Sequence, residues 1–230
     1  MTQLVRVPSP KPAVPGTPHV YIATPAHTLH ANYVLGLVRA LPELLSVEVA
    51  ATYGLLTGFP HVDDARNLLV ADFLKTECTD LVFWDADVGA SAAAITRLLI
   101  HDKDVVGGAY PLKQPVMQFP VKPVPGAAPD ENGVLACKGV PTGFLRIRRH
   151  VLEKLAAKAT KVQMIGTEIP LIFERMTIGN ERMGGDYAFC HKWREEGGGV
   201  YIDTTLTLSH QGLFDFAGCY GVMSKHRTQH

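Results

Sequence analysis

Asp85 and Asp87, separated by Ala86, close a short apolar run from Leu81 to Trp84. The run has the length and β-forming character of a buried strand. A strand covered on both faces cannot continue into two unpaired carboxylates, because their desolvation costs too much. Asp85-Ala86-Asp87 therefore marks a strand end that opens into a crevice, where ligands collect in open α/β sheets. Two carboxylates at this spacing can both approach a hard divalent cation, which prefers oxygen ligands and often also holds substrate phosphates. The plainer alternative is a polar turn in which Asp87 starts the next helix as its N-cap.

Other reactive groups fall at element ends. Asp186 opens a segment in which Tyr187, Cys190, Trp193 and Arg194 recur at helical intervals before Gly197–Gly199, so its carboxylate meets a favourable helix dipole. His210 follows a late strand, and imidazole is an acceptable manganese ligand beside carboxylates. Arg66 stands in the first turn of a helix, where a guanidinium can grip phosphate or carboxylate with two hydrogen bonds. Lys113 follows Val105–Tyr110, an apolar run that passes through two glycines; glycine there lets backbone come close to a ligand.

Positioning these groups requires alternating strands and helices. His19–Ala23 reads as a first strand, 28–45 as a helix, Val47–Tyr53 as a strand and 64–76 as a second helix. This order predicts a parallel pair joined by a crossover. Ser91–His101 reads as a helix, Val134–Val140 and Gly143–Ile147 as strands, and Arg149–Lys158 as a helix. Val200–Ile202 is a late strand, and Leu206–Leu208 leads on to His210. The Pro-rich stretches 1–17 and 114–132 lack periodicity; the first reads as a disordered arm and the second as a loop near a site. Residues 160–183 give no clear pattern.

Phe83-Trp84-Asp85-Ala86-Asp87 resembles the Asp-x-Asp motif of glycosyltransferases with the GT-A fold. Ala65-Arg66-Asn67, Gly108-Ala109-Tyr110-Pro111-Leu112-Lys113, the Gly143–Arg148 stretch and the Asp186 helix are similar to elements of small family-2-like enzymes from phages and bacteria. The resemblance implies an α/β fold of GT-A (Rossmann-like) type, a single domain over 18–215 with a mixed, mostly parallel central sheet flanked by helices, and a tail over 216–230. It implies Mn²⁺ or Mg²⁺ held by Asp85, Asp87 and His210 on the diphosphate of a nucleotide sugar, most readily a UDP-sugar. Thr24 and Pro25 would meet base and ribose, and Arg66, Asp85, Ala86 and Lys113 would line the nucleotide. Thr142 and Gly143 would line the donor sugar, and Asp186 would be the general base of an inverting transfer. Lys225, His226 or Arg227 would close over the diphosphate. One departure stands out: Gly185 occupies the place of the first acid of the family's acidic pair.

Composition narrows the setting. Lys plus Arg and Asp plus Glu are both 22, which argues against a broad basic surface for nucleic acid. A local strip from Lys113, Lys122, Arg146, Arg148 and Arg149 leaves a modified DNA base open as acceptor beside a glycan. Four widely spaced cysteines without a Cys-x-x-Cys fit a reducing compartment. No apolar stretch reaches the roughly 18 residues of a membrane span, and no signal-peptide core is visible. These features point to a soluble cytoplasmic protein, in the host cytoplasm if viral. A nucleotidyltransferase and a non-catalytic nucleotide-sugar-binding module are the alternative functions.

Overall fold

The computed structural model describes residues 2–10 and 14–227, with side chains through Met223. The first half runs β1 (Gln3–Val7), β2 (His19–Ala26), α1 (Ala31–Ser46), β3 (Ala50–Thr57), α2 (Val62–Leu74), β4 (Asp80–Trp84), β5 (Val88–Gly89), α3 (Ala94–Leu99), β6 (Val105–Gly108) and β7 (Lys122–Pro123). Then come β8 (Val134–Gly139), β9 (Phe144–Arg148), α4 (Arg149–Lys158), β10 (Lys161–Met164), β11 (Thr167–Pro170), β12 (Met176–Ile178) and β13 (Glu181–Met183). The chain ends with α5 (Gly185–Glu195), β14 (Val200–Asp203), β15 (Thr207–Gln211), β16 (Asp215–Cys219) and α6 (Tyr220–Arg227).

Alternation along β4 explains the layering. Leu81 and Phe83 join one core cluster with Leu69 and Phe73 of α2, Val151 and Leu155 of α4, and Phe189 and Trp193 of α5. Val82 and Trp84 point the other way and pack with Tyr33, Ala40 and Leu44 of α1 and Ile95 and Leu98 of α3. Successive strand side chains face opposite sides of a sheet, so a continuous apolar run is what a strand covered by helices on both faces demands. In α1 the buried residues Tyr33, Gly36, Ala40 and Leu44 recur every three or four positions, which gives the helix its single apolar stripe.

The main sheet has nine strands in the order β1-β3-β2-β4-β9-β6-β14-β8-β7. Three neighbouring pairs are parallel: β3 with β2, β2 with β4, and β6 with β14. The other five are antiparallel. The expectation of a mostly parallel sheet is therefore corrected: the sheet is mixed and mostly antiparallel by pairing. Strand β9 causes two of the reversals by running against both β4 and β6. Four of its five residues are buried, and burial on both faces is the same for either strand direction, so its sequence carries no directional signal.

Two terminal expectations also change. Gln3–Val7 is not a disordered arm but strand β1, paired along β3 from Gln3↔Thr57 to Val7↔Tyr53. Its β-forming Leu4, Val5 and Val7 precede the first proline, Pro8, which ends the pairing. Residues 11–13 of the expected arm lie outside the described residues. The supposed tail from 216 contributes most of β16 and all of α6. The unreadable stretch 160–183 resolves into two hairpins, β10–β11 and β12–β13. All four cysteines are free thiols, and among the described residues no helix is long and apolar enough to cross a membrane.

Strands β6 and β9 approach so closely at Gly107 that a Cβ there would lie 2.6 Å from the Phe144 carbonyl oxygen and 2.9 Å from Leu145 Cδ1. A carbonyl inside a sheet cannot step aside without breaking the ladder. Gly107→Ala is expected to destabilise the fold by about 1–3 kcal/mol, read as a lower urea midpoint. An unchanged midpoint would contradict this packing.

Candidate active site

The sheet brings the chemistry to one edge. Strands β3, β2, β4, β6 and β14 all run in the same direction, because β9 reverses relative to both β4 and β6. Asp85 leaves the end of β4, Tyr110 and Lys113 follow the end of β6, and Thr142 and Gly143 lead into the start of the reversed β9. Arg66 lies in the first turns of α2, which follows the same end of β3, and Asp186 opens α5.

Arg66 is the centre of the first cluster. Its Nη2 donates to Asp85 Oδ2 at 3.0 Å and its Nη1 to Asp186 Oδ1 at 2.7 Å. The guanidinium is only 4% exposed and stands over the Phe83 ring. Burial alone would ease its proton off, but the Asp186 and Asp85 charges hold it firmly cationic. Asp85 shows the opposite balance: burial pushes its carboxyl above the usual range, with Arg66 offsetting part of that rise. Asp186 is fixed by a second bond, Thr142 N–H to Oδ2 at 3.2 Å. The backbone closes around Asp85, whose N–H donates to the Gly143 carbonyl at 2.8 Å. Gly143 N–H in turn donates to the Tyr110 hydroxyl at 3.2 Å. A Cβ at Gly143 would sit 2.5 Å from that hydroxyl and 2.8 Å from Asp85 Oδ2, so only glycine lets this backbone pass. Arg66 Nε and Thr142 Oγ1 are buried without a hydrogen-bond partner, the kind of orphaned group that calls for a missing neighbour.

Asp87 heads the second cluster. Strand β5 follows it directly and pairs with β15, setting Val88 opposite His210, and Gln211 N–H donates to the Asp87 carbonyl at 2.8 Å. This small sheet places His210 Nε2 3.4 Å from Asp87 Oδ2. The other ring nitrogen, Nδ1, lies 2.9 Å from the Pro111 carbonyl oxygen. A carbonyl only accepts, so Nδ1 carries the proton, and in the neutral ring Nε2 is a bare acceptor facing a carboxylate oxygen. Two acceptors so placed require a cation between them or a second proton on the ring. The arrangement fits a divalent metal: metal-bound histidines commonly donate their other N–H to a backbone carbonyl. One carboxylate and one imidazole leave coordination positions for phosphate and water. Lys113 Nζ already sits on Asp87 Oδ2 at 2.6 Å. Burial would raise the Asp87 carboxyl, but hydrogen bonds from Lys113 and from the ring with its second proton outweigh it and hold the group at about 2.

The two clusters divide the residues singled out in the sequence. Arg66, Asp85, Asp186, Thr142 and Gly143 share the first; Asp87, His210 and Lys113 share the second. Asp85 turns to Arg66 rather than to His210, so the expected three-ligand set is not assembled. Among the described residues no group of three or more His, Cys, Asp or Glu is arranged to hold a metal. Ala86 is buried, its carbonyl accepting from His30 N–H at 2.9 Å. Thr24 is fully buried with its hydroxyl 2.9 Å from that of Tyr33, so it faces the core, while Pro25 lies near the end of β2. The Lys225, His226 and Arg227 side chains lie outside the described ones.

Residues to which the sequence reading gave no role complete the picture. Tyr110 bonds Gly143 and meets the His210 ring edge-on at 4.8 Å, linking the clusters. Asn67 Oδ1 accepts the N–H groups of Ile172 and Phe173. Asp63 fills the space where a Gly185 side chain would begin, so a carboxylate from α2 stands beside the position left empty in α5. Two members drop out of the supposed basic strip: Arg146 is buried against the carbonyls of His101 and Leu98, and Arg149 is bound to the Cys78 and Thr76 carbonyls. Three strands along from β4, by the end of β14, a cavity of about 810 Å³ is lined by Arg97, Asp130, Thr204, Thr205 and Tyr220 among others.

No protein-family model and no curated protein matches the chain. Among solved structures it is similar to A197 from STIV, with a TM-score of 0.53 and 20% identity over 84% of this chain and 86% of that one. At that identity the likeness is one of fold: a mixed α/β domain built on a large sheet.

Removing the shared cation from the first cluster leaves two carboxylates facing each other. Arg66→Leu is expected to cost about 3–5 kcal/mol of unfolding free energy, measured by urea titration; a loss below 1 kcal/mol would show that the clamp is not structural. In the second cluster the sign is set by Asp87. Its folded value of about 2 lies below the ordinary 3.8. Its contribution to stability is therefore complete above pH 4 and lost as pH falls towards 2. Metal-free Asp87→Asn should show a shallower acid loss of stability between pH 4 and 2 than wild type.

Proposed function

We propose that the chain is a metal-dependent glycosyltransferase of GT-A type that moves a sugar from a nucleotide sugar, most readily UDP-linked, to an acceptor hydroxyl with inversion. The observation that carries this reading is the facing acceptor pair of Asp87 and His210 at the end of β4, with His210 Nδ1 tied to the Pro111 carbonyl. The topology supports it: β2-α1-β3-α2-β4 forms a parallel half-sheet whose last strand ends in the acidic motif, and a reversed β9 separates it from β6 and β14.

When bound by Asp87 and His210, a divalent ion would act as a Lewis acid and offset the charge appearing on the departing diphosphate. Asp186 would take the proton of the acceptor hydroxyl, using lone pairs left free by Arg66 and Thr142. The acceptor oxygen bonds the anomeric carbon as the carbon–oxygen bond to the diphosphate breaks, and that bonding pair leaves on the diphosphate. Arg66 and the Thr142 N–H keep Asp186 aimed. Thr142 and Gly143 lie between the two acids, beside the place where a donor sugar would rest.

The acceptor is better read as a glycan than as a modified DNA base. Of the basic strip that DNA would require, Arg146 is buried and Arg149 is tied to backbone carbonyls, which leaves Lys113, Lys122 and Arg148 to face a polyanion. A binding module without turnover is the second reading, favoured by Gly185 in place of an acid.

A panel of nucleotide sugars with Mn²⁺, read by release of the nucleoside diphosphate, separates the two. Metal-dependent release from one donor is expected, with about 100-fold or greater loss in Asp87→Ala and Asp186→Asn and inverted product by NMR. Binding of UDP and metal with no release for any donor or acceptor would leave the module; product with retained configuration would remove Asp186 as base.

A further inference from the structure

Lys113 follows β6 in an irregular segment that reaches the β15–β16 turn, its stem 3.2 Å from where a Cβ of Gly212 would stand. Its ammonium lies 2.6 Å from Asp87 Oδ2, the same oxygen that faces His210 Nε2. The side chain is 34% exposed, and Leu112 N–H holds the loop by donating to the Gln118 carbonyl at 2.8 Å. A single carboxylate oxygen thus serves as anchor for one cation and as half of a binding pair for another. An ammonium and a divalent ion on that oxygen would repel strongly in a partly desolvated crevice.

We infer that Lys113 is the resident counter-ion of Asp87 and yields the site to a divalent ion only when an anionic diphosphate arrives to take its ammonium. The inference rests on the transferase reading of the same site. Its consequence is coupling. Metal alone has to strip Asp87 of its partner and leave Lys113 without one, and diphosphate alone meets Lys113 already paired. Together each relieves the other, so metal and nucleoside diphosphate strengthen each other's binding by the same factor. No movement of the sheet is needed, because Lys113 belongs to a loop and can swing on its own stem.

The test is Mn²⁺ titration of the whole protein, followed by loss of the free-ion EPR signal, for wild type, Lys113→Met and Lys113→Gln, each with and without UDP. Without UDP, both neutral variants should bind Mn²⁺ about 10-fold tighter than wild type, and UDP should tighten wild type by a factor about 10-fold larger than it tightens the variants, whose remaining gain comes from diphosphate oxygens on the metal. If the variants bind Mn²⁺ no tighter than wild type while UDP still tightens all three, the counter-ion role is wrong and the metal site stands. If no Mn²⁺ binds to any of them under either condition, the metal-dependent reading falls and the inference with it.

Discussion

Everything at the crevice depends on one buried cation held between two acids. Asp85 and Asp186 come from distant parts of the chain and are brought to the same place by β4 and α5. Burial pushes the Asp85 carboxyl upward, and a positive charge beside it offsets part of that rise. Arg66 supplies it from α2, with a planar fork whose two arms suit two carboxylates at once. The interaction is therefore also a three-way tie, joining the parallel half of the sheet to the late helix across the mouth of the site. A lysine, with one compact charge, could not span the same pair.

The second cluster is built differently. Asp87, His210 and Lys113 stand on short or irregular elements, and the three-stranded sheet of β5, β15 and β16 joins the first two. Its role is register: Val88 opposite His210 fixes how far the imidazole lies from the carboxylate. The first cluster holds its acids through a buried arginine, whereas the second holds its acid through an exposed lysine that can leave. A site that must admit and release a charged ligand needs that difference.

Much of this was legible in the chain, and what was not had physical reasons. The apolar run into Asp85 and Asp87 announced both β4 and the crevice. The helices α1, α2, α4 and α5 followed from their periodicity, to within a few residues at their ends. Arg66, Asp85, Asp186, Thr142 and Gly143 were each picked out separately, yet nothing in the sequence said that Arg66 would bind acids of its own chain instead of a phosphate. Pairing between side chains 120 positions apart leaves no trace in local pattern. Direction is equally silent, which is why the sheet was expected to be mostly parallel and the reversed β9 was not foreseen. Arg146 and Arg149 looked like surface charge because composition cannot tell a solvated guanidinium from one that satisfies buried carbonyls. Asp63 beside Gly185 shows the same limit: a carboxylate can be supplied from another helix.

Strand β1 has a meaning beyond its own five residues. It lies along the outer side of β3, and all five of its residues are exposed, so it forms the rim of the sheet. A chain shortened to begin at Pro8 would bare the main-chain donors and acceptors of β3, an eight-residue strand. Such an edge is a template for the matching edge of another copy, and self-association by edge-to-edge pairing is the usual result. The native rim is shorter: it carries Arg6 beside exposed Leu4, Val5 and Val7, and Pro8 and Pro10 follow directly behind it. Losing the first residues would thus exchange a five-residue edge for an eight-residue one.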